Sequence, residues 1–290
     1  GKARQSMSLS VQCTEEGQRY SLQAEHYDIV TSHDGFEVWC QGVRFFELAI
    51  RSHVHKPGMT DIDIVNTGPE LQRSARGVTL TWIARSSLWE RKDYVIECYP
   101  EAWLYRLRVY GRGRVGEIGF FSGACEPQQY GSVYEAGRYL CPMALGGGQD
   151  TRYYTTAQSS AINLHYLTPP LLCYPFSVED AGMWLGLGLC IQPGGYNLDH
   201  LAYMHTVVPG DRPRFYLKTD MMGYTEVDGA WEGPAVLATM AQDELGVLSS
   251  YSQWHYDRAP IRVIRVTGRR NGTMPPCRPG SMNWVSSRPL

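Results

Sequence analysis

Two stretches decide the fold: WLGLGLCIQPGGYNLDH at residues 184–200 and RFYLKTDMMGYTEVDGAWEGPAV at residues 214–236. Both contain short apolar runs that are broken by glycines, and FYLKTD within the second run alternates apolar and polar residues. Alternation with a period of two predicts β-strands, and the glycines predict turns between them. The second stretch also brings aromatic and acidic side chains close together: Tyr224, Glu226, Asp228, Trp231 and Glu232.

The same alternation recurs through most of the chain. In WLYRLRVY (103–110) apolar residues occupy the odd positions, and in VTLTWIA (78–84) they occupy the even ones. Many further runs of this kind lie between Gly, Pro or Asn-Thr-Gly turns, whereas helical periodicity is almost absent. We therefore predict an all-β fold, a large antiparallel sandwich of two sheets.

One helix is expected near the end, in AQDELGVLSSYSQWHY at 241–256. Acidic residues in its first turn favour a helix start, and apolar residues recur at three- to four-residue steps. These residues are Leu245, Leu248, Tyr251 or Ser252, and His255. A single helix after the last strand is typical of a connector or of a cover over a sheet edge.

The charge distribution excludes some classes of partner. Before Arg258 the chain has 20 basic and 29 acidic residues, and the remainder has seven arginines but no acid or lysine. An acidic body is a poor nucleic-acid binder because phosphate contacts need a basic face. The same charge does not suggest a membrane surface, so neither partner is expected, while a homo-oligomer stays open.

Other features of composition indicate a globular chain. Hydrophobic residues make up 43% of the sequence, and no run is apolar enough for a transmembrane helix. The start, GKARQSMSLS, is too short and polar for a signal peptide, so a cytoplasmic location is expected. The eight cysteines are scattered without a CxxC pair, which predicts buried small side chains rather than a metal site.

The composition divides the chain into four parts. We expect an N-terminal extension at 1–19, the sandwich at 20–240, the helix at 241–256 and an irregular tail at 257–290. The tail is rich in arginine and proline. It is either a flexible terminus or a non-native continuation translated in a shifted frame, which in GC-rich DNA gives mainly Arg, Pro and Gly.

The order of several segments resembles a known family. These segments are YVIECYPEAWLYRLRVYGRGRVGEIGFFSG, LTPPLLCYPF, WLGLGLCIQPGGYNLDHLAY and FYLKTDMMGYTEVDGAWEGPAV. Together they resemble the N-terminal β-sandwich domain of alpha-galactosidase-like retaining glycosidases (glycoside hydrolase family 36 and relatives), over roughly residues 20–256. The resemblance implies a galactose-mutarotase-like supersandwich that precedes a (β/α)₈ barrel, and this barrel hydrolyses α-glycosides.

The family's catalytic machinery has no counterpart here. Its nucleophile and acid/base are two aspartates on barrel strands, about 5–5.5 Å apart, in a barrel of about 250 residues. Only 34 residues follow Tyr256. The resemblance therefore implies a non-catalytic fragment, with no catalytic residue, metal or cofactor of its own. It would meet an α-glycoside carbohydrate through the missing catalytic domain.

Four residues are candidates for contact with a sugar: Tyr224, Asp228, Trp231 and Glu232. Aromatic faces stack on sugar rings and carboxylates accept hydrogen bonds from hydroxyl groups. The alternative is that the carboxylates of this stretch, with Asp220 and Glu226, cap turns and strand ends. Asp228-Gly229 marks a tight turn by itself.

A second motif is His53-x-His55, which is followed by Asp61 and Asp63. On a strand it would place two imidazoles on one face, as a metal site requires. Because Lys56-Pro57-Gly58 indicates a loop, we expect solvent-exposed histidines and no metal.

Two other functions remain open. A free-standing sugar epimerase or mutarotase needs a general acid and a general base, for which His165, His205 and Glu226 are the candidates. A lectin-like module would bind sugar without turnover. The fold alone does not separate these functions from the first.

Overall fold

The computed structural model describes residues 10–123, 131–135, 137–141, 152–155, 165–167, 169, 171–190, 200–206 and 213–258. These residues form nineteen strands and one helix: β1 (Gln12–Glu16), β2 (Arg19–Gln23), β3 (Asp28–Thr31), β4 (Gly35–Cys40), β5 (Val43–Ala49), β6 (His53–Val54), β7 (Asp63–Arg73), β8 (Val78–Ser86), β9 (Arg91–Cys98), β10 (Ala102–Phe120), β11 (Ser132–Tyr134), β12 (Gly137–Cys141), β13 (Arg152–Thr155), β14 (His165–Leu167), β15 (Cys173–Val178), β16 (Trp184–Cys190), β17 (Leu201–Thr206), β18 (Arg214–Glu232), β19 (Ala235–Ala241) and α1 (Glu244–Arg258). The all-β prediction with one helix near the end is confirmed.

The strands form two sheets, and every pairing between the described strands is antiparallel. The first sheet has the order β7-β8-β9-β10-β19-β16-β15-β12-β13. The second has the order β1-β2-β3-β4-β5-β11-β18-β17-β14. Strand β6 pairs with the far end of β10, beside β18.

Two strands of 19 residues each, β10 and β18, run through both sheets. The first half of β10 pairs with β9 and β19, whereas its last residues pair with β6 and with the first half of β18. Glycines with positive φ occur along both strands, at Gly111, Gly113, Gly223 and Gly229. Glycine adopts this backbone conformation without the clash that a Cβ would cause, so the strands bend without ending.

The main core lies between the sheets and is rich in aromatic residues. Phe36 of β4 meets Trp103 of β10 edge to face at 5.6 Å between ring centroids. At the other end, Phe46 of β5 meets Phe176 of β15 at 5.1 Å. Tyr27 also donates a hydrogen bond across the sandwich to the carbonyl of Tyr99, at 2.6 Å. Edge-to-face aromatic pairs stabilise such cores beyond their buried area.

A second, smaller core lies between α1 and the outer face of the first sheet. Asp243 caps the helix by accepting a hydrogen bond from the backbone N–H of Gly246 at 2.6 Å. Val247 and Tyr251 are the buried residues of the helix. They pack over Gly186 and Gly188 of β16, where an added Cβ would overlap the two helix side chains. The glycines of WLGLGLC thus make room for the helix.

Several details differ from the sequence prediction. The helix spans Glu244–Arg258, so the predicted start at 241 is too early, because β19 extends to Ala241. Leu245 is 70% exposed and does not belong to the buried face, because the sheet contacts the side of the helix that bears Val247. The Asp228-Gly229 turn is also wrong, since both residues pair with β10 inside β18.

Further predictions concern the N-terminus, the cysteines and the C-terminal part of the chain. Residues 12–16 of the expected N-terminal extension form β1, which pairs with β2. Cys40, Cys98 and Cys173 are free and buried, as expected for small apolar side chains. The tail from 259 onward and the segment 191–199 of the opening stretch lie outside the described residues. The described helix, 15 residues long, is too short and too polar to span a bilayer.

Candidate functional site

A cluster of ionisable side chains lies on the outer face of the second sheet, where β6, β10 and β18 meet. His55 and Glu117 are cross-strand neighbours, joined by a backbone hydrogen bond of 2.8 Å, and His53 pairs with Gly119. Lys218 of β18 pairs with Gly119 from the other side. Because side chains at alternate positions share a face, these strands direct His53, His55, Glu117 and Lys218 to one surface.

Gly119 provides the space for this arrangement. The imidazole of His53 lies flat against the backbone of Gly119, so that a Cβ there would overlap the ring. The rings of His53 and His55 stack at 4.0 Å between centroids with an interplanar angle of 8°. His53 is only 4% exposed. The expectation of solvent-exposed histidines is therefore wrong, because pairing with β10 draws this segment into the sheet.

Glu117 is the anionic centre of the cluster. Its Oε1 lies 2.9 Å from Nε2 of His53, and its Oε2 lies 2.7 Å from Nζ of Lys218. Burial by itself raises the pKa of the Glu117 carboxyl group, but the hydrogen bonds from His53 and Lys218 outweigh it and lower the pKa to about 2. The carboxylate is therefore ionised across the physiological range.

His55 is held neutral. The backbone N–H of Asp61 donates a hydrogen bond to Nδ1 of His55 at 3.0 Å, so the imidazole proton is on Nε2. Burial and the neighbouring His53 lower the pKa of His55 to about 4. At neutral pH the cluster therefore contains a neutral imidazole stacked on the histidine that faces Glu117.

A buried ionic network lies beneath the cluster. Lys92 is 1% exposed, and its Nζ lies 2.5 Å from Oδ2 of Asp61 and 2.7 Å from Oδ1 of Asp63. It also donates to the carbonyl of Ser52 at 2.9 Å. Burial lowers the pKa of Lys92, but the two aspartates outweigh burial and raise it. This network fixes the irregular segment that carries both histidines.

The cluster contains the one group of potential metal ligands among the described residues. One donor atom each from His53, His55 and Glu117 lies within 4.8 Å of the others. Two imidazoles and a carboxylate are a donor set used for zinc and other divalent transition metals. Of these residues, only the His-x-His spacing was visible in the sequence. Glu117 and Lys218 come from strands that are distant in sequence, and no local signal identifies them.

The four predicted sugar contacts lie on β18 and do not converge. Tyr224, Asp228 and Glu232 share one face, and Trp231 lies on the opposite face, partly buried against the core. Neighbours on the shared face are four residues apart, or about 13 Å along a strand. The carboxylates are paired with arginines of β10, Asp228 with Arg112 at 3.1 Å, and Glu232 with Arg106 and Arg108.

The residues considered for an epimerase are also separated. His205 is buried in the core and stacks on Tyr203 at 5.3 Å between ring centroids. It pairs with Phe215 of β18. The exposed Glu226 lies eleven residues after Phe215, or about 36 Å along an extended strand. His205 and Glu226 therefore do not form one site. The backbone of His165 pairs with Tyr203, and its side chain lies outside the described set.

Comparison with known proteins finds solved structures that share this fold. No protein-family model matches the sequence, and no curated protein matches it. Among solved structures, the alpha-N-acetylgalactosaminidase NagBb from Bifidobacterium bifidum, in complex with GalNAc, is similar with a TM-score of 0.54. Its identity is 8% over 82% of this chain and 38% of that chain.

Two further solved structures are similar with lower TM-scores. The heparan sulfate lyase HepC from Pedobacter heparinus has a TM-score of 0.47 and 8% identity over 81% of this chain and 37% of that chain. A glycoside hydrolase family 97 enzyme from Pseudoalteromonas sp. strain K8 has a TM-score of 0.44 and 11% identity. The match covers 77% of this chain and 36% of that chain. The chain thus spans less than two-fifths of these proteins. Structural similarity at such low sequence identity shows the fold alone and does not single out glycoside hydrolase family 36.

Proposed function

We propose that this chain is a non-catalytic β-sandwich domain of a carbohydrate-active glycoside hydrolase, which supports and walls a (β/α)₈ barrel that cleaves α-glycosides. The observation that carries the proposal is the sandwich, which covers 82% of this chain but only 38% of the alpha-N-acetylgalactosaminidase NagBb. A domain that accounts for a minor part of a similar enzyme is expected to work beside another part. We also propose that this hydrolase is an alpha-galactosidase-like retaining glycosidase.

An exposed apolar rim supports the proposal. We use this name for Met59, Ile62, Ile64, Val65, Met222 and Tyr224, all of which are large and exposed. Pro57 contacts the β18 bulge at Gly223, where a Cβ would lie 3.0 Å from its ring, so the turn before Met59 and the bulge are adjacent. Contiguous exposed apolar side chains mark interaction surfaces. We assign the rim to contact with the catalytic domain.

The predicted sugar contacts fit this role better than a self-contained binding pocket. Tyr224 is 70% exposed at the rim, and Asp228 is exposed four residues further along the same face. We propose that Tyr224 and Asp228 border the substrate cleft of the neighbouring barrel. Glu232, held by two arginines, and Trp231, half-buried, contribute to the wall behind them.

Assays on the purified chain test the proposal against its alternatives. We expect no release of nitrophenol from 4-nitrophenyl α-galactoside, α-N-acetylgalactosaminide or α-glucoside at high protein concentration. Turnover that a single carboxylate substitution abolishes would overturn the proposal. Accelerated interconversion of galactose anomers, followed by polarimetry, would favour a mutarotase. Saturable binding of free sugars in calorimetry, without turnover, would favour a lectin-like module.

The coding DNA supplies an independent test. We expect one reading frame of the DNA after codon 257 to encode eight alternating strand and helix segments, as a (β/α)₈ barrel requires. A stop codon soon after this point in every frame would contradict the proposed arrangement.

A further inference from the structure

We propose that His53, His55 and Glu117 form a binding site for one divalent transition-metal ion, with Zn²⁺ the best-suited member of this class. The inference does not depend on the proposed function. It rests on the position of three ligand side chains on one face of two adjacent antiparallel strands. Imidazole and carboxylate donors suit zinc, nickel and cobalt, whereas calcium and magnesium prefer sites made of oxygen ligands.

The donor distances are close to those of a zinc site, whereas the orientation of the rings must change. Zinc bonds to nitrogen and oxygen measure about 2.0–2.2 Å, which in a tetrahedron separates two donors by about 3.4 Å. Nε2 of His53 and Oε1 of Glu117 are already 2.9 Å apart. All three donor atoms lie within 4.8 Å of one another, so the widest pair must close by no more than about 1.5 Å. Side-chain rotation closes these distances, but the stacked rings have parallel planes and direct their nitrogen lone pairs side by side, so at least one imidazole must also turn about χ2 to face the ion.

Metal binding requires a proton shift on His55. To bind the metal through Nε2, the neutral imidazole of His55 must present a lone pair there, so that its proton moves to Nδ1. For His55 this shift breaks the present hydrogen bond from the Asp61 backbone N–H to Nδ1. The Glu117 carboxylate exchanges its contact with His53 for the metal and keeps Lys218 on its other oxygen. We therefore expect micromolar rather than nanomolar affinity.

Asp61, whose backbone contacts His55, has a buried carboxylate oxygen without a partner. Its carboxylate is fully buried, yet Oδ1 has no hydrogen-bond partner, although Oδ2 binds Lys92 and the backbone N–H of Val54. Buried carboxylate oxygens normally have a donor. In metal sites the second nitrogen of a histidine ligand donates to a carboxylate or carbonyl. The backbone N–H of Asp61, and not this oxygen, now faces His55 Nδ1, so local rotation must bring an acceptor to Nδ1–H after the proton shift.

Titration calorimetry of the metal-free chain with ZnCl₂ tests the site. We expect one zinc ion per chain and no heat with CaCl₂. Glu117→Gln keeps the shape of the side chain and His55→Gln removes one imidazole, and each should weaken zinc binding at least tenfold. His33→Gln, at an exposed histidine, is the matched control and should bind zinc as the unchanged chain does.

Spectroscopy and thermal unfolding separate this site from binding elsewhere. With Co²⁺ we expect visible d–d bands and no thiolate charge-transfer band, because the ligands exclude cysteine. Zinc should raise the melting temperature of the unchanged chain and of the His33→Gln control, but not that of Glu117→Gln. Unaltered zinc affinity in Glu117→Gln and His55→Gln, a thiolate band, or no stoichiometric binding would each overturn the proposal.

Discussion

The packing of α1 against β16 can be tested directly by substitution. Gly186 lies under Val247, and an added Cβ at Gly186 would overlap a γ-methyl of Val247. Val247→Ala removes two buried methyl groups and leaves a cavity, which we expect to cost about 2–3 kcal/mol. Gly186→Ala overpacks the same contact and should cost about 1–3 kcal/mol.

The double variant Gly186→Ala/Val247→Ala restores the fit, because it moves a methyl group from the helix to the sheet. Its cost should be about 1–2 kcal/mol, well below the sum of the two single costs, and the middle of these ranges corresponds to a coupling of about 3 kcal/mol. Some cost remains because the new Cβ lies 3.0 Å from Sγ of Cys173. The measurement is urea unfolding followed by tryptophan fluorescence, with equal m values for the four proteins.

Leu245→Ala is the matched control on the same helix. Leu245 is exposed, so its truncation should change the free energy of unfolding by less than about 0.5 kcal/mol. Strictly additive costs in the double variant would refute the proposed contact between Gly186 and Val247. A loss for Leu245→Ala as large as that for Val247→Ala would refute the assignment of the buried helix face.

Three further predictions concern the cluster and the network beneath it. Lys92→Met leaves two buried aspartates without their cation and should lower the free energy of unfolding by about 3–5 kcal/mol in urea titrations; a loss below 1 kcal/mol would contradict this. Because burial lowers the pKa of His55 from 6.5 to about 4, the unfolded chain takes up the proton first. In metal-free buffer, stability should be complete above about pH 6.5 and fall by up to about 1.4 kcal/mol per unit as the pH drops towards 4, and His55→Gln should remove this slope. Gly119→Ala should displace the His53 ring and abolish zinc binding in calorimetry, while a variant that binds zinc normally would show that the ring does not need this space.

Alternation predicted the strands well because it reflects which side chains face the core. It did not predict how long β10 and β18 are. Glycines at 111, 113, 223 and 229 are typical of turns, but here they have positive φ inside continuous strands. A sequence window does not distinguish a glycine that ends a strand from one that bends it, since the difference is made by partner strands far away in the chain.

The candidate site was predictable only in part, for a similar reason. His-x-His indicated a shared strand face, but the following Lys-Pro-Gly favoured exposure. Burial of His53 results from Gly119 and Glu117, more than sixty residues later. The four residues predicted to contact sugar come from one stretch of sequence, and their spread along β18 depends on the absence of a turn at Asp228.

The passage of β10 and β18 through both sheets has a mechanical consequence. In a sandwich whose sheets are joined only by loops, the two sheets can slide against each other or separate along their interface. Here β10 and β18 belong to both sheets. Shear between the sheets must therefore strain these two continuous strands and break cross-strand hydrogen bonds at the same time. The sandwich should therefore respond to force as a single stiff plate without an internal hinge, and melt in one cooperative step.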